Sequence, residues 1–162
     1  MAPISSVLDS SRKLRKLSVS VTSELVSDFQ HSFVRNAEIL SIHSVKRESG
    51  RLATALETIE NRQIHIELID FENPSPNEYF QLIQGWAAMK RSVGSLITFE
   101  LGTDEIGEGI LELLRARNER TESTDRCVTV LQSNSTILEV FYCGINIENS
   151  SELLLTAMIM EA

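Results

Sequence analysis

The sequence predicts an α+β fold, a mostly antiparallel β-sheet with two principal amphipathic helices packed on it. Three observations carry that prediction. Residues 76–92 open with helix-start residues and hold an apolar stripe of helical period. Residues 37–45 and 63–70 alternate apolar and polar side chains, and 95–101 reads as a further strand. Residues 126–160 hold three more apolar segments, the first two separated only by the turn-forming run QSNS.

The elements follow in order. Residues 1–12 are Ser-rich and read as a flexible N-terminal segment, leaving 13–162 as a single domain. Leu14, Leu17, Val19 and Val21 alternate partly with polar residues and suit a short strand. Over 22–34, Leu25, Phe29 and Phe33 favour a helix, against which the valines and serines count. Residues 37–45 and 52–59 read as two extended segments around a turn at Glu48, Ser49 and Gly50. In 63–70, Ile64, Ile66 and Ile69 are apolar while His65 and Glu67 face away from the first two. The register slip near Leu68 suggests a bulge or a strand covered on both faces.

The helix at 76–92 has the strongest local logic. Ser75 is placed as N-cap, Pro76 at N1 and Glu78 at N3, a capping box whose proline loses no hydrogen bond at that position. Tyr79, Leu82, Ile83, Trp86 and Met89 form one stripe, Lys90 and Arg91 complement the negative helix end, and Gly94 is a stop. A strand at 95–101 follows. Thr103 then caps a helix over 104–117 with Asp104 and Glu105 in its first turn, an inner face of Ile106, Ile110, Leu113 and Leu114, and Arg115 and Arg117 at its end. Residues 118–125 read as a solvated loop. Strands at 126–131 and 136–143 should form an antiparallel hairpin, and the strand at 153–160, apolar on both faces, should lie inside the sheet or under a helix.

Composition narrows the function. The net charge of −8 in 162 residues argues against a broad surface for nucleic acid or anionic lipid. The basic cluster Arg12, Lys13, Arg15 and Lys16 reads as a solvated flank, with an RNA-binding arm as the alternative. Two cysteines, Cys127 and Cys143, are too few for a disulfide scaffold, and no signal-peptide pattern follows Met1. The apolar runs fall short of a membrane span. The expected compartment is therefore cytoplasmic, with nuclear as the alternative, where the N-x-S/T triplets at Asn134 and Asn149 would go unglycosylated.

No catalytic constellation is readable. His31, His43 and His65 stand in separate elements without metal-ligand spacing and read as surface or rim residues. Cys127 and Cys143 read as small buried core residues. The glycines of GTDEIG lack a phosphate-binding lysine, and Asp104 and Glu105 would repel an anion. Trp86 reads as core, with a role as a partner anchor the alternative.

The stretch Glu72–Phe99 carries an Asn73-Pro74 turn, Tyr79 and Trp86 on one helix, the Lys90-Arg91 pair, Val93-Gly94 and Phe99. In these residues the chain resembles a nematode-specific domain of unknown function found behind F-boxes in nematode F-box proteins. The resemblance continues through Arg126-Cys127-Val128-Thr129-Val130 and Leu138-Glu139-Val140-Phe141-Tyr142, is strongest over 60–162, and is weaker over 1–59, where 45–53 resembles a diverged front half. It implies a domain that selects a protein for ubiquitination, while an F-box upstream binds the Skp1-like adaptor of a cullin-RING ligase. No F-box pattern is read here, so adaptor binding falls on no residue of this sequence.

The functional expectation is a non-catalytic protein-interaction module, with no cofactor, metal, nucleic-acid or membrane partner. The candidate contact residues are Arg117, Asn118, Glu119 and Arg120, with Arg47 and Arg51, chosen because loops and element ends carry recognition more often than sheet interiors. The alternative is a small ligand-binding domain or enzyme with a pocket between sheet and helices, in which His65 and Glu67 would converge.

Overall fold

The computed structural model describes residues 14–21, 29, 31–45, 49–69, 74–118, 121–133, 135–147 and 150–162. The chain runs β1 (Lys16–Val21), α1 (Ser32–Asn36), β2 (Ile39–Val45), α2 (Ser49–Leu56), β3 (Gln63–Ile69), α3 (Pro76–Ala88), β4 (Leu96–Leu101), α4 (Asp104–Arg117), β5 (Thr121–Thr124), β6 (Cys127–Ser133), β7 (Thr136–Ile147) and β8 (Ser150–Glu161). The strands form one eight-stranded sheet in the order β1-β2-β3-β4-β8-β7-β6-β5.

The fold class is the expected α+β, with the sheet antiparallel in four of its seven pairings. The other three, β1-β2, β2-β3 and β3-β4, are parallel. That half follows from α1, α2 and α3 lying between successive strands, because parallel neighbours need a crossover long enough to return the chain to the same end. The second half is built from the β6-β7 and β7-β8 hairpins. Strand β8 then inserts between β7 and β4, pairing Leu155 with both Phe99 and Tyr142, so the apolar run LLLTAMIM lies inside the sheet as expected.

One core holds the molecule. Strand residues of one face, including Leu40, Ile42, Ile64, Ile66, Phe99, Val140 and Leu155, pack with Leu52 and Leu56 of α2, Phe80, Ile83 and Trp86 of α3, and Ile110 and Leu114 of α4. Trp86 is fully buried, as expected of an interior residue. Close helix contacts are bought with glycine: a Cβ on Gly85 would stand 2.5 Å from the Ala53 carbonyl oxygen, and one on Gly107 would stand 2.9 Å from the Tyr142 ring.

Helix α3 begins as the sequence predicts, with the Ser75 N–H donating to the Glu78 carboxylate at 2.7 Å. It ends at Ala88, earlier than 92, because Arg91 turns back onto the helix end. Gly94, at φ 82°, reverses the chain into β4 and donates its N–H to the Ile159 carbonyl at 2.8 Å. Helix α4 matches its expected span.

Several expectations need correction. Residues 52–59 are not extended. Leu52, Ala55, Leu56 and Ile59, all 5% exposed or less, recur at helical spacing, and Ser49–Leu56 is helical. Leu68 marks no slip: it pairs in register with Ser44 and packs on the core beneath the same face as Ile64 and Ile66. The irregularity falls instead between Leu131 and Ser133. The span 118–125 is not all loop, since Thr121–Thr124 is an edge strand whose polar sequence suits the sheet margin. Of the expected helix in 22–34, only Ser32 onward is described as one, with Phe29 buried. The expectations for residues 1–12, the Glu48 turn, Asn73, Asn134 and Asn149 lie outside the described residues.

Candidate partner-binding surfaces

With the core on one face, the alternate strand residues form a second face that no described helix covers. Pairing places them in rows across the sheet. One row runs Ser18, Ser41, His65, Thr98, Thr156, Phe141 and Cys127. Its neighbour toward the N-terminal ends of the parallel strands runs Lys16, Ile39, Gln63, Leu96, Met158 and Glu139. Most of these side chains are half-buried, and Ser41 is fully buried among them.

Several polar members of this face bond to one another, while the buried Ser41 Oγ has no partner among the described residues. His43 Nδ1 lies 2.6 Å from Glu67 Oε2, and its Nε2 lies 2.8 Å from Ser18 Oγ. His65 Nδ1 lies 2.8 Å from Thr98 Oγ1, and its Nε2 lies 3.2 Å from Glu100 Oε1. An ionised carboxylate only accepts, so neutral His43 carries its proton on Nδ1 and accepts the Ser18 hydroxyl at Nε2. Neutral His65 has the opposite tautomer. It donates from Nε2 to Glu100 and accepts the Thr98 hydroxyl at Nδ1. His65 and Glu67, which the alternative pocket reading would bring together, therefore stand side by side with different partners. Both histidines are partly exposed, as read from the sequence, while His31 caps α1 by accepting the Phe33 N–H at 3.4 Å.

The two cysteines are not core residues. Cys143 is exposed, and Cys127 is half-buried on the uncovered face. The Cys127 thiol lies 3.5 Å from the Glu139 carboxylate, and burial together with that negative charge pushes its pKa up. A thiol held in its protonated form is a poor nucleophile.

The sequence-predicted contact residues separate. Arg117 lays its guanidinium 4.8 Å from the centre of the Phe80 ring, and Asn118 donates to the Leu114 carbonyl at 2.7 Å. Both stand at the end of α4, where Asn118 joins Ile83, Ala87, Leu114, Val130 and Leu138 around a groove of 190 Å³. That is below the ~300 Å³ of ordinary ligand sites and suits a single protruding side chain. Arg51 is exposed on α2. Arg47, Glu119 and Arg120 lie outside the described residues.

A larger cleft of 700 Å³ opens at the N-terminal ends of β1, β2 and β3, lined by Arg15, Arg35, Glu38, Glu60, Asn61 and Arg62. Sequence reading missed it because its residues come from three separate segments, 15, 35–39 and 60–63. Asn61 forms part of its wall, with Nδ2 donating to the Val34 and Ala37 carbonyls at 2.7 and 2.6 Å. Among the described residues no three His, Cys, Asp or Glu side chains are grouped to hold a metal ion, and no described helix is long and apolar enough to cross a membrane.

Comparison with known families finds a match. The model of Domain of unknown function (DUF3557) covers residues 1–103, well over half of the chain, and the chain belongs to that family. The matched span ends just past β4, so it comprises the parallel half of the sheet. It includes all of Glu72–Phe99, and it reaches the front residues 1–59 that the resemblance placed outside its strongest part. No curated protein matches the chain.

Proposed function

We propose that this member of the DUF3557 family is a non-catalytic protein-interaction module. It resembles the substrate-recognition domain of a nematode F-box protein, and would present its partner to a Skp1–cullin–F-box ubiquitin ligase where an F-box lies upstream. The observation that supports the reading is the uncovered sheet face. Leu96, Phe141, Leu154 and Met158 remain partly exposed there, beside two histidines whose hydroxyl and carboxylate partners already satisfy them, while the buried Ser41 Oγ has no partner among the described residues. Such a mixture, apolar contact area with few unpaired polar groups to desolvate, is what a macromolecular interface requires. On the other side of the sheet, the space toward the helices is filled by side chains such as Phe80, Trp86, Phe99 and Leu155, each fully buried.

The test places a photo-crosslinking residue at Phe141 and, separately, at Glu112 on the exposed side of α4. A single stoichiometric protein adduct from position 141 alone is the expected result. Adducts from neither position, or only from 112, overturn the reading. Copurification with a Skp1-like adaptor should follow an F-box in the same polypeptide and vanish without it.

One observation favours a second reading. Ser18, His43 and Glu67 order a hydroxyl, an imidazole and a carboxylate as nucleophilic hydrolases do. The Thr98, His65 and Glu100 set repeats the pattern on neighbouring strands, which suits cross-strand bonding equally well. A fluorophosphonate probe separates the two: covalent labelling of Ser18, abolished by His43→Ala, would make the domain an esterase-like enzyme.

A further inference from the structure

The cleft at the N-terminal ends of β1–β3 runs against the charge of the molecule. Arg15, Arg35 and Arg62 line it in a chain of net charge −8, and Glu38 and Glu60 are its lining acids. Among the described residues none of the three arginines has a strong side-chain partner. Arg35 and Glu60 meet at 3.5 Å with both side chains more than half exposed, a loose pair worth little in water. Among the described residues, Arg62 gives a long Nε bond, 3.4 Å, to the Gly94 carbonyl. Arg15 has no ion-pair partner among the described residues.

Guanidinium groups arranged around a concavity match a tetrahedral dianion, because each offers paired N–H donors and keeps its charge at every physiological pH. A phosphate dianion could also take Arg35 from Glu60, since it brings a second negative charge and a third acceptor oxygen. The cleft volume, 700 Å³, exceeds what a bare phosphate fills and accommodates a phosphorylated side chain with its neighbours. Ile39 and Gln63 line the cleft and also belong to the row that continues through Leu96 and Met158 on the uncovered face. A ligand seated in the cleft therefore leads directly onto that face.

We propose that the cleft binds a phosphorylated residue of a protein partner whose flanking residues lie along the uncovered sheet face. This rests on the interaction reading above and names the chemistry of the partner. A nucleic acid fits less well, because a polyanion would meet the repulsion of the remaining acidic surface over its whole length.

The experiment compares a degenerate phosphoserine peptide pool with the same pool unphosphorylated, by fluorescence anisotropy at one fixed ionic strength. The phosphorylated pool should bind at least about tenfold tighter. The double substitution Arg15→Gln with Arg35→Gln, both exposed and outside the core, should remove that difference while leaving the circular dichroism spectrum unchanged. Arg62→Gln serves as a second variant. Equal binding of the two pools, full displacement by equimolar inorganic phosphate, stronger binding of a single-stranded RNA oligomer, or undiminished preference in both variants each overturns the proposal. The photo-crosslink at Phe141 separates the failures: an adduct that forms without regard to phosphorylation sinks the cleft alone, and loss of the adduct sinks the interaction reading with it.

Discussion

Arg91 closes over Trp86. Its guanidinium carbon lies 4.8 Å from the centre of the indole, and its Nε donates to the Trp86 carbonyl at 2.6 Å. The same guanidinium donates to the carbonyls of Ile59 at 2.9 Å and Leu56 at 2.7 Å. One side chain thus satisfies acceptors left open at the ends of both α2 and α3 and ties the two helices together. Burial lowers its pKa to about 10, a consequence of drawing the cation away from water.

Replacing Arg91 should therefore act on stability rather than on binding. Arg91→Met keeps the stem and leaves three carbonyls without their donor, at a cost of about 2–4 kcal/mol. Arg91→Lys should recover only part of that, since an ammonium does not reproduce the planar fork. Urea unfolding followed by the emission of the single tryptophan measures both. A loss below about 0.5 kcal/mol for Arg91→Met would remove the helix-tying role.

Gly85→Ala should separate α2 from α3. The new methyl would lie 2.5 Å from the Ala53 carbonyl oxygen and 3.0 Å from its carbon, both backbone atoms that cannot swing away. Overpacking of this kind costs about 1–3 kcal/mol. Gly144→Ala is the control, because nothing lies within 4 Å of its added carbon. Thermal melts of the pair should differ in that order, and equal melting would contradict the close crossing.

Tyr79 should titrate late. Its pKa is pushed up to about 12, first by burial and then by the charges of Glu78 and Glu100, while its hydroxyl donates to the Glu100 carbonyl at 3.1 Å. A raised folded-state pKa means the protonated phenol is favoured by the fold. Its contribution is complete below the unfolded value near 10 and is lost as pH climbs through about 12. Ultraviolet phenolate absorbance should show one of the two tyrosines ionising near the upper limit, and Tyr79→Phe should delete that step. Tyr142 is also raised, by burial foremost, so the phenylalanine variant is needed for assignment.

Nitrogen NMR should find His43 and His65 in opposite neutral tautomers, His43 protonated at Nδ1 and His65 at Nε2. Glu67→Gln should disturb only the first and Glu100→Gln only the second, because each histidine has its own carboxylate. Identical tautomers would mean the cross-strand pairs are wrongly placed.

What the sequence reveals follows the range of the forces involved. Helices α3 and α4 were legible because Ser75, Pro76 and Glu78 act locally, Asp104 and Glu105 mark the first turn of α4, and the apolar stripes repeat within the same segment. Helix α2 was hidden because Gly50 and Thr54 dilute its propensity, and its stability comes from packing on α3, beyond any local window. The parallel half was hidden for a similar reason, since alternation marks a strand without naming its neighbour. Ser18 stands 25 residues before His43, and His43 stands 24 before Glu67, so their bonding leaves no spacing signal. The arginine cleft likewise draws on Arg15, Arg35 and Arg62, which only the strand order brings to one end of the sheet.

The place of β8 has a bearing on how the chain matures. Residues 150–161 sit in the middle of the finished sheet, yet they are synthesised after every strand they join. Until they emerge from the ribosome, β4 and β7 each expose a bare hydrogen-bonding margin, so a nascent chain must wait with two unfinished halves. A premature stop just before Ser150 would lose few residues but both seams at once, and it should yield insoluble product rather than a trimmed, working domain.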